Sequence, residues 1–395
     1  MRRLAVLLSL GFTCVGIAPA QWAMEDSHST ADLRGIDNVG GGVVWASGTN
    51  GTVLRSEDAG YLWQTCAVPP GAEKLDFRGI QGFDANTAIV MSSGKGDLSR
   101  LYKTTDGCAT WKLAFTNPDP DGFWDAIRFG GPRPWQEGIL IGDPLNGRFS
   151  IFQSSDGGSN WRRWGGRIEL DGGVYKEHQS NARSGSVLFA ASNQELLFWG
   201  GVEFGFVTGG TSGADLVYTD DGRWCEELGG ICNVTFQRIK LPMLASGPAS
   251  GAFAIACKSP CSFWPLRLMI VGGDYEHPDK SQGNAVFASS RDGVHMPFTS
   301  HLDLRISATP PHGYRSAVAY YAALNTWITV GPNGTDISTD DGRNWRALHP
   351  DASLHEATDA DRNWNALSLP FVVGPHGRIG RLDPAALRQP DTSKP

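Results

Sequence analysis

Apolar runs of four to six residues, each ending in Gly and a polar turn, recur along the whole chain. They are "VVWASGTNG" (43–51), "AIVMSSGKG" (88–96), "GILIGDPLNG" (138–147), "LLFWGGVEFG" (196–205), "LMIVGGDY" (268–275), "WITVGPNG" (327–334) and "FVVGPHG" (371–377). Runs this short, punctuated by Gly, Asn and Asp, predict β-strands joined by tight turns. A further short strand with a shared opening precedes most of them: "LRGI" (33–36), "FRGI" (77–80), "WDAI" (124–127), "YRSAV" (314–318) and "WNAL" (364–367). Units four and five are less regular, around "ARSGSVLFA" and "SGAFAIA".

A third pattern closes most units. "SEDAGYLW" (56–63), "TTDGCATW" (104–111), "SSDGGSNW" (154–161) and "STDDGRNW" (338–345) share Ser or Thr first, Asp third and Trp eighth. The polar side chains suit hydrogen bonding to turn amides, and Gly suits a positive φ. The aspartates Asp58, Asp106, Asp156 and Asp340, and the tryptophans Trp63, Trp111, Trp161 and Trp345, therefore read as structural. Decayed copies stand at "TDDGRW" (219–224) and "SRDGVHMPF" (290–298).

Four antiparallel strands per unit at a spacing of about 40–60 residues predict the blades of a propeller. The fold class is all-β, a single seven-bladed propeller over residues 21–385. The seventh unit supplies three strands only. "QWAMEDSH" (21–28), with Trp22 where other units carry their Trp, is expected to add the fourth and close the ring, hiding two sheet edges. Residues 1–20, with Arg2 and Arg3, an apolar run and Ala18-Pro19-Ala20, read as a secretory signal, and 386–395 as a disordered tail. The mature protein is expected outside the cytoplasm, periplasmic or extracellular, and monomeric.

Composition agrees. The 395 residues include 50 Gly, about 13% against a usual ~7%, and 14 Trp. A net charge of −7 argues against nucleic acid, and no later apolar run approaches the ~20 residues of a spanning helix. Beyond Cys14 there are six cysteines, Cys66, Cys108, Cys225, Cys232, Cys257 and Cys261. In an oxidising compartment they suggest disulfides. Of the 15 possible pairings, the short gaps favour Cys225–Cys232 and Cys257–Cys261, leaving Cys66–Cys108. No metal or cofactor is expected: "NPDPDG" (117–122) opens like a calcium loop, but Arg128 stands where the bidentate Glu belongs.

The Asp turns match the Asp-box, or BNR repeat, found in sialidases, xyloglucan-cleaving hydrolases, sortilin-type receptors and photosystem II assembly factors. With "FRGI", "WDAI", "VGGDY" and "GYRSAVAY…WITVGPNG", the pattern over nearly the whole mature chain resembles exported bacterial proteins labelled photosystem II stability/assembly factor-like, or BNR-repeat "oxidoreductase". The resemblance implies the seven-bladed propeller. No dinucleotide, haem or flavin motif supports the oxidoreductase label.

In such a ring the inner-strand openings bring Arg34, Arg78, Asp125, Arg315 and Asn365 to equivalent positions, and the loops after the second strands bring Asp143, Asp274 and Tyr275 to the same face. One reading makes the arginines a site for a carboxylate, from a protein or peptide partner or an acidic sugar. By analogy with the assembly factors, an arginine patch of this kind recognises a partner's C-terminal segment. The other reading makes Asp125, Asp143 and Asp274 their structural ion-pair partners. An enzymatic alternative is glycoside hydrolysis with Asp125 as acid and Tyr314 as nucleophile, although "LRGI" and "FRGI" lack the sialidase Arg-Ile-Pro.

Overall fold

In the structure, a computed structural model, the described residues are 21–388 except 131–136, 165, 171–173, 179–180, 200–202, 221–222, 226–229, 233–234, 259–260, 262–265, 291–301 and 351–355; at 166–170, 174–178, 220, 223–225, 230–232 and 235 only the backbone is described. The signal expected at 1–20 and the second decayed turn lie outside these residues, as do the side chains of Cys225 and Cys232.

Seven antiparallel sheets built on four strands each form the ring, six of them with those strands in sequence order from the inside out. Their inner strands are Leu33–Gly40, Phe77–Gly82, Trp124–Gly130, Leu196–Trp199, Gly247–Cys257, Ala317–Tyr321 and Ala366–Ser368. The ring closes as expected: Trp22–Glu25 pairs antiparallel with Ile379–Leu382 and becomes the outer strand of blade 7. The core lies between blades. Trp63 of blade 1 packs edge-on against Phe371 of blade 7, Trp111 of blade 2 joins Trp45 of blade 1, and Trp345 of blade 6 joins Met269 and Phe287 of blade 5. In these three pairs one blade buries the Trp of the next.

The four Asp turns share one hydrogen-bond set. Ser56, Thr104, Ser154 and Ser338 each donate to the following Asp at 2.9 Å. The same hydroxyl accepts the fifth residue's N–H, and the Asp accepts the seventh residue's N–H at 2.9–3.0 Å. The fourth and fifth residues are left-handed. Where three turns put Gly fifth, Cys108 takes φ 66°, tied by a disulfide to Cys66. The Cys257–Cys261 bond is also present.

Three expectations need correction. "LLFWGGVEFG" is the first hairpin of blade 4, not its second strand and turn: Leu196–Trp199 is the inner strand and Glu203–Val207 pairs with it. "ARSGSVLFA" is no inner strand; Ser186–Val187 pairs with Gly209–Gly210 and extends the sheet of blade 5 to six strands. The sequence misleads here because buried hairpins of Gly and apolar residues look alike in either register. Third, the ordered body passes 385: Ala386 and Leu387 are buried, Leu387 within the blade 6–7 core.

Candidate functional site

A β-bulge near the start of the inner strand re-aims one side chain in several blades. Pairing skips a residue between Leu33 and Gly35, Phe77 and Gly79, Trp124 and Ala126, and Ala252 and Ala254. The skipped residues are Arg34, Arg78, Asp125 and Phe253. In blades 6 and 7 the matching positions are Ser316 and Asn365, whose N–H groups bond Val330 and Val373. All six side chains line one cavity of about 390 Å3 at the mouth opposite the Asp turns.

Arg34 and Arg78 converge on Asp76, from the loop before blade 2. Arg78 Nε donates to Asp76 Oδ2 at 2.8 Å, and Arg34 Nε stands 3.1 Å from Oδ1, outside hydrogen-bond alignment. All three are about a quarter to a third exposed. Two guanidinium groups therefore share one carboxylate, and the pocket keeps a net positive wall. Facing it is an aromatic shelf. Phe189 and Phe253 stack at 4.0 Å between ring centroids, and Tyr275 meets both edge-on at 6.1 Å.

Asp125 and Asp143 line the same cavity without pairing to either arginine. Asp125 is 1% exposed with an unpartnered Oδ2. Burial pushes its carboxyl well above the usual range, Asp143 and Glu195 push it further, and Arg78 pulls it back. Burial also raises Asp143, which accepts the Leu188 N–H at 2.9 Å. Burial, then Glu195, raises the Tyr314 hydroxyl, the wrong direction for a phenolate nucleophile.

Two expected site residues fall elsewhere. Arg315 is fully buried and turned away from the cavity. Its Nε donates to Asp336 at 2.8 Å and its Nη2 to the same carboxylate, while Nη1 donates to Asn333 and to the Tyr314 carbonyl. It is a brace, and Ser316 takes the bulge position because "YRSAV" carries one residue more than "LRGI". Asp274 is held by His277 at 2.9 Å and by nearby amides. In "NPDPDG", Asp119 is taken by Arg163 and Asp121 by Lys95.

Sequence reasoning missed the plug. Residues 188–194 cross the channel beneath the pocket. Asn193 accepts from Ile127 N–H and donates to Ile80 O. Gln194 accepts from Val318 N–H and donates to Leu367 O. Ser192 donates to Ser316 O, and Ala190 O accepts from Arg78. One segment thus ties the inner strands of blades 2, 3, 6 and 7, and the cavity is a closed cup.

No protein-family model matches the chain, and no curated protein matches its sequence. Solved structures do share its fold. "YCF48 bound to D1 peptide" superposes with a TM-score of 0.55 at 16% identity over 94% of this chain and 99% of that one. "YCF48 from Cyanidioschyzon merolae" gives 0.57 at 16% identity over 92% and 99%. The GH74 enzyme of Niastella koreensis gives 0.53 at 13% identity over 91% of this chain and 53% of that one. The expected propeller fold is therefore shared with these solved structures.

Proposed function

We propose that this chain is an exported, non-catalytic propeller that captures a protein or peptide by a carboxylate, with Arg34 and Arg78 as the anchoring pair. The observation that carries the reading is their convergence on the single carboxylate of Asp76 at the wall of a closed cup. A ligand carboxylate restores charge balance there through bidentate hydrogen bonds. The shelf of Phe189, Phe253 and Tyr275 suits an adjacent apolar or aromatic side chain. Burial raises the Asp125 and Asp143 carboxyls, a shift towards the neutral form that lessens their repulsion of an incoming anion. A fold relative has been solved with a peptide bound, which supports a peptide here. The two disulfides support an oxidising compartment.

The test is titration calorimetry with synthetic peptides ending in Phe, with free or amidated C-termini. Free-acid peptides should bind at least ~30-fold tighter, and Arg34→Ala with Arg78→Ala should erase the difference. Equal binding of both forms would sink the reading.

Glycoside hydrolysis is the second reading. It is favoured by the buried Asp125 in the cup, whose carboxyl burial pushes well above the usual range, and by fold similarity to a GH74 enzyme. Purified protein incubated with sialosides and β-glucans decides it: turnover lost in Asp125→Asn would establish the enzyme.

A further inference from the structure

Outside the cup, a cluster of incompletely compensated charge lies at the rim of blade 4. Asp215 opens the third strand of that blade and is 1% exposed. Three cations surround it: Arg183 Nη1 and Lys240 Nζ stand 3.3 and 3.9 Å from Oδ1, and Arg238 Nε stands 3.8 Å from Oδ2. None of these contacts is a hydrogen bond; both carboxylate oxygens and Arg238 Nε are unpartnered among the described residues. Arg183 and Lys240 are 44% and 47% exposed. Backbone carbonyls orient the group: Ser212 O accepts from Lys240, and Asn181 O accepts from Arg238.

Asp215 neutralises one of the three neighbouring charges and leaves two, on a chain whose net charge is −7. Like charges held this close repel unless an anion joins them. A carboxylate that only holds the cluster from below, with no hydrogen bonds of its own to it, leaves guanidinium and ammonium donors free to engage a ligand.

The cluster also adjoins the cup. Arg183 lies five positions before Leu188, which lines the cavity and bonds Asp143. Even fully extended, that stretch spans at most ~18 Å. We propose that Arg183, Arg238 and Lys240 form a second subsite that binds Asp or Glu side chains of the captured peptide, within about six residues of the carboxylate held by Arg34 and Arg78. The proposal rests on the peptide-capture reading and narrows its ligand to an acidic segment.

The experiment compares two dye-labelled decapeptides of Gly and Ser ending in Phe with a free carboxylate. One carries Glu four to six positions before the end, and the other carries Gln there. Fluorescence anisotropy should show the Glu peptide binding wild type about 10-fold tighter at low salt, with the advantage shrinking as NaCl rises. Arg183→Gln with Lys240→Gln should abolish the advantage, and Arg183→Lys with Lys240→Arg should retain most of it. An equal thermal midpoint in the two double variants excludes a folding effect; the single Lys240→Gln variant, with half the loss, serves if the first double variant is unstable. Equal affinity of the two peptides for wild type, or an unchanged ratio in the Gln variant, overturns the subsite. Arg34→Ala should weaken both peptides alike. If it weakens neither while the Glu advantage still depends on Arg183 and Lys240, the cup reading fails and the rim subsite stands.

Discussion

The indole N–H of Trp22 donates to Thr335 Oγ1 at 3.0 Å across 313 positions of sequence. Trp22 sits on the closing strand of blade 7, and Thr335 on the third strand of blade 6. The indole also packs against Trp364 at 6.0 Å, so the first described strand is fastened to two blades.

Removing that fastener should open the ring. Trp22→Ala should cost roughly 3–5 kcal/mol of stability. Trp22→Phe keeps the ring and should lose about 1 kcal/mol for the hydrogen bond plus a smaller packing deficit. Denaturant unfolding of the three proteins checks this. Equal midpoints would mean that the clasp is not part of the cooperative unit.

Arg315 and the pair Arg34/Arg78 should separate in opposite ways. Arg315→Ala leaves the fully buried Asp336 without its main partner and should destabilise by about 3–5 kcal/mol. Arg34→Ala and Arg78→Ala alter partly exposed groups and should shift stability by about 1 kcal/mol or less, while removing carboxylate binding. Thermal unfolding and peptide calorimetry on the same variants test the distinction.

This contrast shows where the sequence is readable. Arg34, Arg78, Asp125 and Asn365 were recognisable because each follows an aromatic or Leu that starts a strand and precedes a small residue. Arg315 shares that signature. Only the backbone register shows that Ser316, and not Arg315, donates its N–H to Val330 O just ahead of the Ala317–Val330 pair. Blades 4 and 5 gave no such opening, so Phe253 and the Asn193–Gln194 plug went unseen. The plug's role depends on amide side chains reaching strands up to 173 positions away, which no local pattern encodes. Trp22 and the Asp turns were legible because local turn chemistry and blade count each demand them.

The Cys66–Cys108 bond closes a loop of 42 positions, and its loss should cost about 4 kcal/mol by chain entropy, against about 2 kcal/mol for Cys257–Cys261. The replacement at 108 matters. Because that residue holds φ 66°, Cys66→Ala/Cys108→Gly should be more stable than Cys66→Ala/Cys108→Ala by about 1 kcal/mol. Urea unfolding of both double variants measures the difference. The reverse order would mean that the turn relaxes out of the left-handed region.

Acid and alkali should destabilise the protein through different carboxylates. The Thr110 side chain and backbone, with Thr104, hold Asp106 down to about 2. A depressed folded-state pKa contributes stability above the unfolded value near 3.8 that is lost as pH falls toward 2. Asp37 behaves oppositely. Burial lifts it to about 6, although Arg128, the Gly82 N–H and Gln81 pull it down. The native state then binds a proton that the unfolded chain has released, so its contribution is full below about 3.8 and is lost as pH rises through 6. Asp106→Asn should therefore flatten the fall in melting temperature between pH 4 and 2. Asp37→Asn, which keeps an acceptor for Gly82, should raise the melting temperature at pH 8 and leave it nearly unchanged at pH 4. Melting curves of both variants across pH 2–8 decide the assignment: a pH-independent offset in Asp37→Asn would show that its carboxyl stays ionised in the fold.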